Sequence, residues 1–211
     1  MRTRSFVRTL VLLLVTVLGI GILAGAYIVT TGVSARTPPG QLEALTARTI
    51  RGMAIRTRVR GVTNPVPSSD AVIAEGMEHF ADHCASCHGN DGSGDTEMGR
   101  GLYPRAPDMR LPATQNLSDA ELFYIIENGV RLTGMPGWAT GTKEGETSSW
   151  HLVHFIRHLP KLTEDEIARM EDVNPRTPAE LHEREEEKKF LQGGDADAPP
   201  ATSTHEHAHN P

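Results

Sequence analysis

An uncharged, mostly apolar run from Val11 to Val29 opens the chain, and nothing later in the sequence repeats it. At 1.5 Å per residue it reaches ~28 Å, close to the ~30 Å hydrocarbon core of a bilayer. Arg2, Arg4 and Arg8 stand before it. The run is longer than the ~7–15 apolar residues usual in a cleaved signal, so an uncleaved transmembrane anchor is predicted over residues 1–35. Val33-Ser34-Ala35 keeps a removed signal, and hence a secreted soluble protein, as the alternative. The preceding arginines favour an N-terminus on the inner side.

Beyond the run the pattern changes to short helical segments separated by breakers. Pro38-Pro39-Gly40 stops any helix leaving the membrane. From Gln41 to Arg60, apolar residues (Leu42, Leu45, Ile50, Met53, Ile55) are scattered among arginines. This reads either as a basic amphipathic helix lying on anionic lipid or along the next domain, or as a solvated spacer helix. Asn64-Pro65-Val66-Pro67 ends the connector, 36–69.

Ser69 or Asp70 is the N-cap of a helix to about His83. Residues 89–117 are rich in Gly, Pro and Asp and predict a long loop. Ser118-Asp119-Ala120-Glu121 is a capping box, starting a helix that stops at Gly129. Ser148 or Ser149 is expected to cap a helix from Trp150 to Leu159, ended by Pro160. Thr163-Glu164-Asp165-Glu166 suggests a short helix, and Pro178 to Leu191 an acidic one closed by Gly193. The expected units are therefore a domain over 70–160, an acidic helical extension over 161–192, and a disordered, His-tipped tail over 193–211. There is no internal repeat and no convincing strand, so the fold is expected to be all-α.

Composition sharpens this picture. Hydrophobic residues are 38% of the chain and aromatics 5%, thin for a fold resting on side-chain burial alone, which suits a small core completed by a buried cofactor. The net charge of −6 argues against nucleic acid as a partner. It hides an asymmetry: residues 36–60 hold six arginines against Glu43, while residues 161–211 hold thirteen acids against six Lys/Arg.

The only cysteines, Cys84 and Cys87, lie in Cys84-Ala85-Ser86-Cys87-His88. C-x-x-C-H is the attachment signature of c-type haem. Two thiols on one helical turn reach the two vinyl groups of one porphyrin, and the next residue, His88, presents its imidazole to the iron. A thioredoxin-like dithiol would need a strand before the motif, and a zinc site further cysteines or a clear histidine pair. With both cysteines used by one haem c, no disulfide remains.

Residues 70–160 resemble a class I c-type cytochrome. Gly76 and Phe80 sit eight and four residues before Cys84, where the family packs its first helix against its last. Trp150, Val153, Phe155 and Ile156 look like the matching last helix. Gly134-Met135-Pro136-Gly137-Trp138 is similar to the family's ligand loop. The resemblance implies Met135 as the second iron ligand, with Met98 and Met109 as rivals. It also implies that the carbonyl of Pro107, with Pro104 as rival, accepts the ring N–H of His88, and that Met109 packs on the haem. Haem iron held by His88 and Met135 has both axial positions filled, which favours electron transfer over chemistry at iron. The resemblance further implies a single-pass protein of the bacterial inner membrane with its haem domain in the periplasm, serving respiratory redox partners as a carrier or complex subunit rather than as an enzyme itself. A haem-based sensor or a peroxidase-like enzyme with a displaceable distal ligand is the alternative; Arg131, near Met135, is a candidate distal group for it, but a surface or haem-propionate contact is the preferred reading of that residue.

Other histidines are expected not to ligate iron. His79 and His83 read as a solvated helix face, and His151, His154 and His158 as an exposed polar face. His205, His207 and His209 form a tail able to chelate metal. The run Glu183 to Glu187 reads as a solubilising face. Donor, acceptor, potential and oligomeric state are not encoded in these motifs.

Overall fold

The computed structural model describes residues 2–32, 34–176 and 178–191. Among them there is no strand, as expected of an all-α chain. Helix α1 (Arg2–Thr31) contains an apolar stretch, Phe6–Thr30, long enough to cross a membrane, and none of it is buried by the rest of the chain. Helix α2 (Gln41–Arg58) follows after a bend at 35–37.

The packed unit begins with α3 (Asp70–His83), capped by Ser69 Oγ, which accepts from Val72 N. Its apolar face crosses α8 (Lys143–His158). The crossing is close because Gly76 has no side chain. A Cβ there would collide with the carbonyl oxygen of His151 and sit 3.0 Å from Phe155 Cβ. Beside it Phe80 and Phe155 meet at 5.1 Å between ring centroids, and both are almost wholly buried. Helix α7 (Asp119–Asn128) closes the third side. Its Phe123 stacks on Trp150 at 4.0 Å, with the rings 7° from parallel. The expected capping box is present: Ser118 Oγ accepts from Glu121 N and Glu121 Oε2 from Ser118 N.

Two expected boundaries differ. Helix α8 starts at Lys143, capped by Thr142 rather than by Ser148 or Ser149. Ser149 instead lies inside the helix, buried, donating to Glu127 Oε1 at 2.5 Å. The first turns of α8 are polar because they face water, so they carry no apolar period to read. The stretch 89–117 is not one uninterrupted loop: it contains two single-turn helices, α5 (Glu97–Gly101) and α6 (Pro112–Gln115), started by Thr96 and by Pro112.

The core does not stop at Pro160. Leu159–Lys161 forms a 3₁₀ turn and leads into α9 (Glu164–Val173), whose capping box is Thr163 with Glu166. Met170 of α9 is 1% exposed and belongs to the main hydrophobic cluster. Helix α10 (Pro178–Leu191) carries the acidic run Glu183 to Glu187 and adds no residue to that cluster. Gly193 and the histidine tail at 193–211 lie outside the described residues.

The histidines of α8 are not the exposed polar face expected of them. His151 Nδ1 pairs with Glu75 Oε2 at 2.9 Å, and His158 Nε2 with Glu166 Oε1 at 2.9 Å. His154 Nε2 lies 2.9 Å from Val66 O and 3.0 Å from Asn64 Nδ2. The connector, α3 and α9 cover this face, and the period of one helix carries no record of partners on other elements. Helix α2 also touches the domain. Its Ile55 is buried, Arg56 Nε bonds Glu121 Oε1 at 3.2 Å, and Tyr103 donates to Glu43 Oε1.

Gly76→Ala should destabilise the fold by about 1–3 kcal/mol, the range for overpacking a tight core, read as a lowered Tm. A second prediction concerns acid. Burial pushes the Glu121 carboxyl up, but hydrogen bonds from Ser118 and the Arg56 guanidinium outweigh it and hold it below the usual range. Its stabilising contribution is therefore complete above the unfolded pKa, ~4.3, and is lost as pH falls through the lower folded value. Glu121→Gln should lower stability in chemical denaturation at pH 7, and the gap to wild type should shrink steadily below pH ~4.

Candidate functional site

The site starts at the end of α3. Cys84 caps that helix and opens the single turn α4 (Ala85–His88), so both thiols and the imidazole of His88 leave the backbone within five residues. Gly89, with φ 72°, stops the turn. Burial first, then the neighbouring Cys87, pushes the Cys84 thiol up to about 12. A disulfide-exchange dithiol needs the reverse, a depressed attacking thiol. The motif is also preceded by a helix, not by a strand.

His88 Nδ1 is shielded from solvent and has no full hydrogen bond. Burial lowers the ring's proton affinity, and the backbone of Pro107 raises it in part. The net effect favours neutral imidazole, the form that ligates metal. Of the two prolines expected to bear on His88, it is the Pro107 backbone that does so electrostatically. A half-buried imidazole whose Nδ1 is shielded and unpartnered, at the end of a C-x-x-C-H turn, fits covalent haem, whose iron would occupy the ring's other nitrogen and whose pull would strengthen the Nδ1–H donor.

The loop that carries Pro107 is packed onto the attachment turn. Thr96 Oγ1 reaches Ser86 O at 2.8 Å and Cys87 O at 3.1 Å, and accepts from Gly99 N at 2.8 Å. Gly94 has φ 72° and lies so close to the carbonyls of Ala106 and Pro107 that no Cβ fits. Met109 is buried in the core, its N–H bonded to Gly92 O at 2.8 Å. Met98 is 57% exposed on α5.

Met135 sits in a loop fastened at both ends. Val130 N bonds Met135 O at 3.0 Å, Trp138 N bonds Ile126 O at 2.9 Å, and Ala139 N bonds Glu127 O at 3.1 Å. Met135 N donates to Thr133 Oγ1 at 3.1 Å. Gly129, at φ 65°, would place a Cβ 2.6 Å from Met135 O. Trp138 meets the His83 ring edge-on at 5.5 Å, and His83 in turn meets His79 at 4.8 Å. This pair, read from sequence as a solvated face, is therefore partly engaged in ring contacts, and burial lowers the pKa of His79. Arg131 bears no ion pair among the described residues, and no cluster of metal-ligating side chains is formed among them.

Several supporting residues escaped sequence reasoning. Arg157 of α8 donates to Asp119 Oδ1 through Nε (2.9 Å) and Nη2 (2.8 Å), to Gln115 O (2.7 Å), and to Leu117 O. Gln115 Nε2 bonds Met109 O at 2.7 Å and Ile156 O at 2.9 Å. In the amide orientation that satisfies both its atoms, Asn174 after α9 donates to Asn90 Oδ1 (2.9 Å) and Ala81 O (3.1 Å) and accepts from Asn90 Nδ2 (3.0 Å). The one available signal was a polar residue amid an apolar helix face, as at Arg157.

Residues 71–156 match the family described as cytochrome c oxidase, cbb3-type, subunit III. The domain is a class I c-type cytochrome, with covalently attached haem c as its cofactor. Among its relatives are two rhizobial proteins. "Cbb3-type cytochrome c oxidase subunit FixPc" of Rhizobium leguminosarum bv. viciae is 33% identical over 105 residues. "Cbb3-type cytochrome c oxidase subunit FixP" of Rhizobium etli is 35% identical over 105 residues. Each match covers 48% of this chain and 32% of the relative, so the matched segment spans about a third of the length of these curated relatives.

Gly129→Ala should loosen the Met135 loop by forcing Met135 O away. The expected outcome is faster amide hydrogen exchange across 130–139 with α3 and α8 unchanged, and equal exchange in both proteins would contradict this geometry.

Proposed function

We propose that this chain passes single electrons between respiratory redox partners at the outer face of the bacterial inner membrane, held there by α1. In this reading Cys84 and Cys87 bind the haem through thioethers, and His88 and Met135 hold its iron. Haem c, when bound, supplies a reversible one-electron couple at iron. The protein's work is positional. The turn α4 aims the imidazole, the Pro107 carbonyl accepts its N–H, and the fastened loop at 129–139 keeps a weak thioether in place. With both axial positions held by side chains, small ligands have no ready site.

The observation that carries this reading is the His88 imidazole at the end of the Cys84–His88 turn, its Nδ1 shielded from solvent and without a hydrogen-bond partner. The relatives' names add a partner class: the chain serves a cbb3-type oxidase, as a subunit or as a carrier to it. The units we assign are an anchor over 1–35, a connector over 36–69 and a cytochrome domain from 70, with α9 docked onto it. Because thioethers to haem c are formed outside the inner membrane, this reading assigns the domain to the periplasm.

Oxidised wild-type protein should show a sulfur–iron charge-transfer band, and Met135→Ala should lose it, gain carbon monoxide binding in the reduced state, and lower the reduction potential. Retention of the band in the variant would remove Met135 as ligand. Separately, acidic organic solvent should extract no haem from denatured wild type; extraction would rule out the thioethers.

A further inference from the structure

The attachment turn α4 is four residues long, and a helix of that length does not hold itself in place. Its own backbone supplies Cys87 N and His88 N to Cys84 O, at 3.2 and 2.9 Å, and Gly89 N to Ala85 O at 2.7 Å. Outside bonds must therefore set where the His88 imidazole points. Thr96 Oγ1 holds the middle of the turn through Ser86 O and Cys87 O. The two flanks of the motif are held by a single side chain from the C-terminal end of the fold, Asn174.

Asn174 reaches the turn because α9 docks along one face. Glu166, Met170 and Asn174 are spaced four apart, so at ~100° per residue they fall within a sector of about 80°. Glu166 pairs with His158 of α8, and Met170 is sunk in the core. Pro175 disfavours the helical region at Asn174, whose ψ is 138°, so α9 ends there. In its satisfied orientation the amide nitrogen of Asn174 lies 3.1 Å from Ala81 O, 2.9 Å from Asn90 Oδ1 and 3.0 Å from Met170 O, while its oxygen accepts from Asn90 Nδ2 at 3.0 Å. Ala81 stands three residues before Cys84, and Asn90 two after His88, so the side chain spans the whole C-x-x-C-H motif. Gly92 continues the contact: its φ is 71°, and a Cβ there would come 2.7 Å from Leu159 Cδ1. The chain just past Asn90 thus lies flat against the joint between α8 and α9.

We infer that Asn174 is a positioning residue for the haem iron: paired with Asn90, it closes the attachment turn from outside, fixes the orientation of His88 and thereby helps to set the reduction potential. This rests on the reading of His88 as an iron ligand. Partners that orient a ligating imidazole tune the metal it holds, and hydrogen bonding and burial shift haem potentials. A loosened turn admits water nearer the iron, which favours the ferric state because it carries one more positive charge. Asn174 lies beyond the segment 71–156 that matches the family, so this control comes from the C-terminal extension rather than from the matched domain.

The test uses full-length holoprotein in detergent, wild type against Asn174→Ala, Asn90→Ala and the double variant. Ile55→Ala on α2 is the control, a core truncation that costs stability away from the turn. At a fixed ambient potential near the wild-type midpoint, the ratio of reduced to oxidised haem should fall about threefold in Asn174→Ala. It should fall less in Asn90→Ala, which leaves the bond to Ala81 O in place. The double variant should match Asn174→Ala alone, because the two amides act as one unit. Amide exchange across 84–91 should quicken in all three, with α7 unchanged. An unchanged ratio in Asn174→Ala, with the haem spectrum intact, overturns the inference and leaves His88 as ligand. Effects that add in the double variant also overturn it, as does an equal fall in Ile55→Ala, which would tie the potential to stability alone. Pulsed EPR of oxidised wild type should show an imidazole nitrogen coupled to iron; its absence removes His88 as ligand and the inference with it.

Discussion

Two helices meet backbone to backbone where Gly76 lies against the His151 carbonyl, and the position of everything chemically important follows from that meeting. Helix α3 ends one residue before its chain becomes the attachment turn. Any shift of α3 relative to α8 would therefore move Cys84, Cys87 and His88 as a block. A larger residue at 76 would separate Phe80 from Phe155, the two aromatic rings that fill the crossing. Phe123 stacks on Trp150 between α7 and the same helix α8.

Around this crossing the polypeptide holds two loops, and it does so with hydrogen bonds rather than with apolar mass. Arg157 and Gln115 fasten the segment 109–119 to α8 through carbonyl oxygens and Asp119. Glycines at 94 and 129 let these loops come closer to their neighbours than any side chain would permit. The C-terminal segment extends the same logic: Met170 fills a gap in the core, and Asn174 joins the end of α9 to Asn90, two residues past His88.

What was legible in the sequence was local chemistry. The capping boxes at Ser118 and Thr163 involve groups three residues apart, and both helices begin where their residues say. The C-x-x-C-H turn and the Gly76–Phe80 spacing are likewise written within one or two helical turns. Misreadings arose where a partner lies on another element. His151, His154 and His158 carry the period of a wet face, yet Glu75, Val66 and Glu166 cover them. The start of α8 was hidden because Lys143 to Thr147 has no apolar period, while two serines nearer Trp150 offered a plausible cap. The helices α5 and α6 are each a single turn, too short for any periodicity to register.

The double fastening of the 129–139 loop has a consequence for rate. A loop tied to Ile126 and Glu127 at one end and closed on itself between Val130 and Met135 has few soft coordinates left. If its sulfur is an iron ligand, as proposed, the arrival or departure of one electron finds the surroundings already arranged for both charge states. Little nuclear rearrangement then accompanies the transfer, so reorganisation energy stays low and modest driving forces suffice to move charge quickly in either direction.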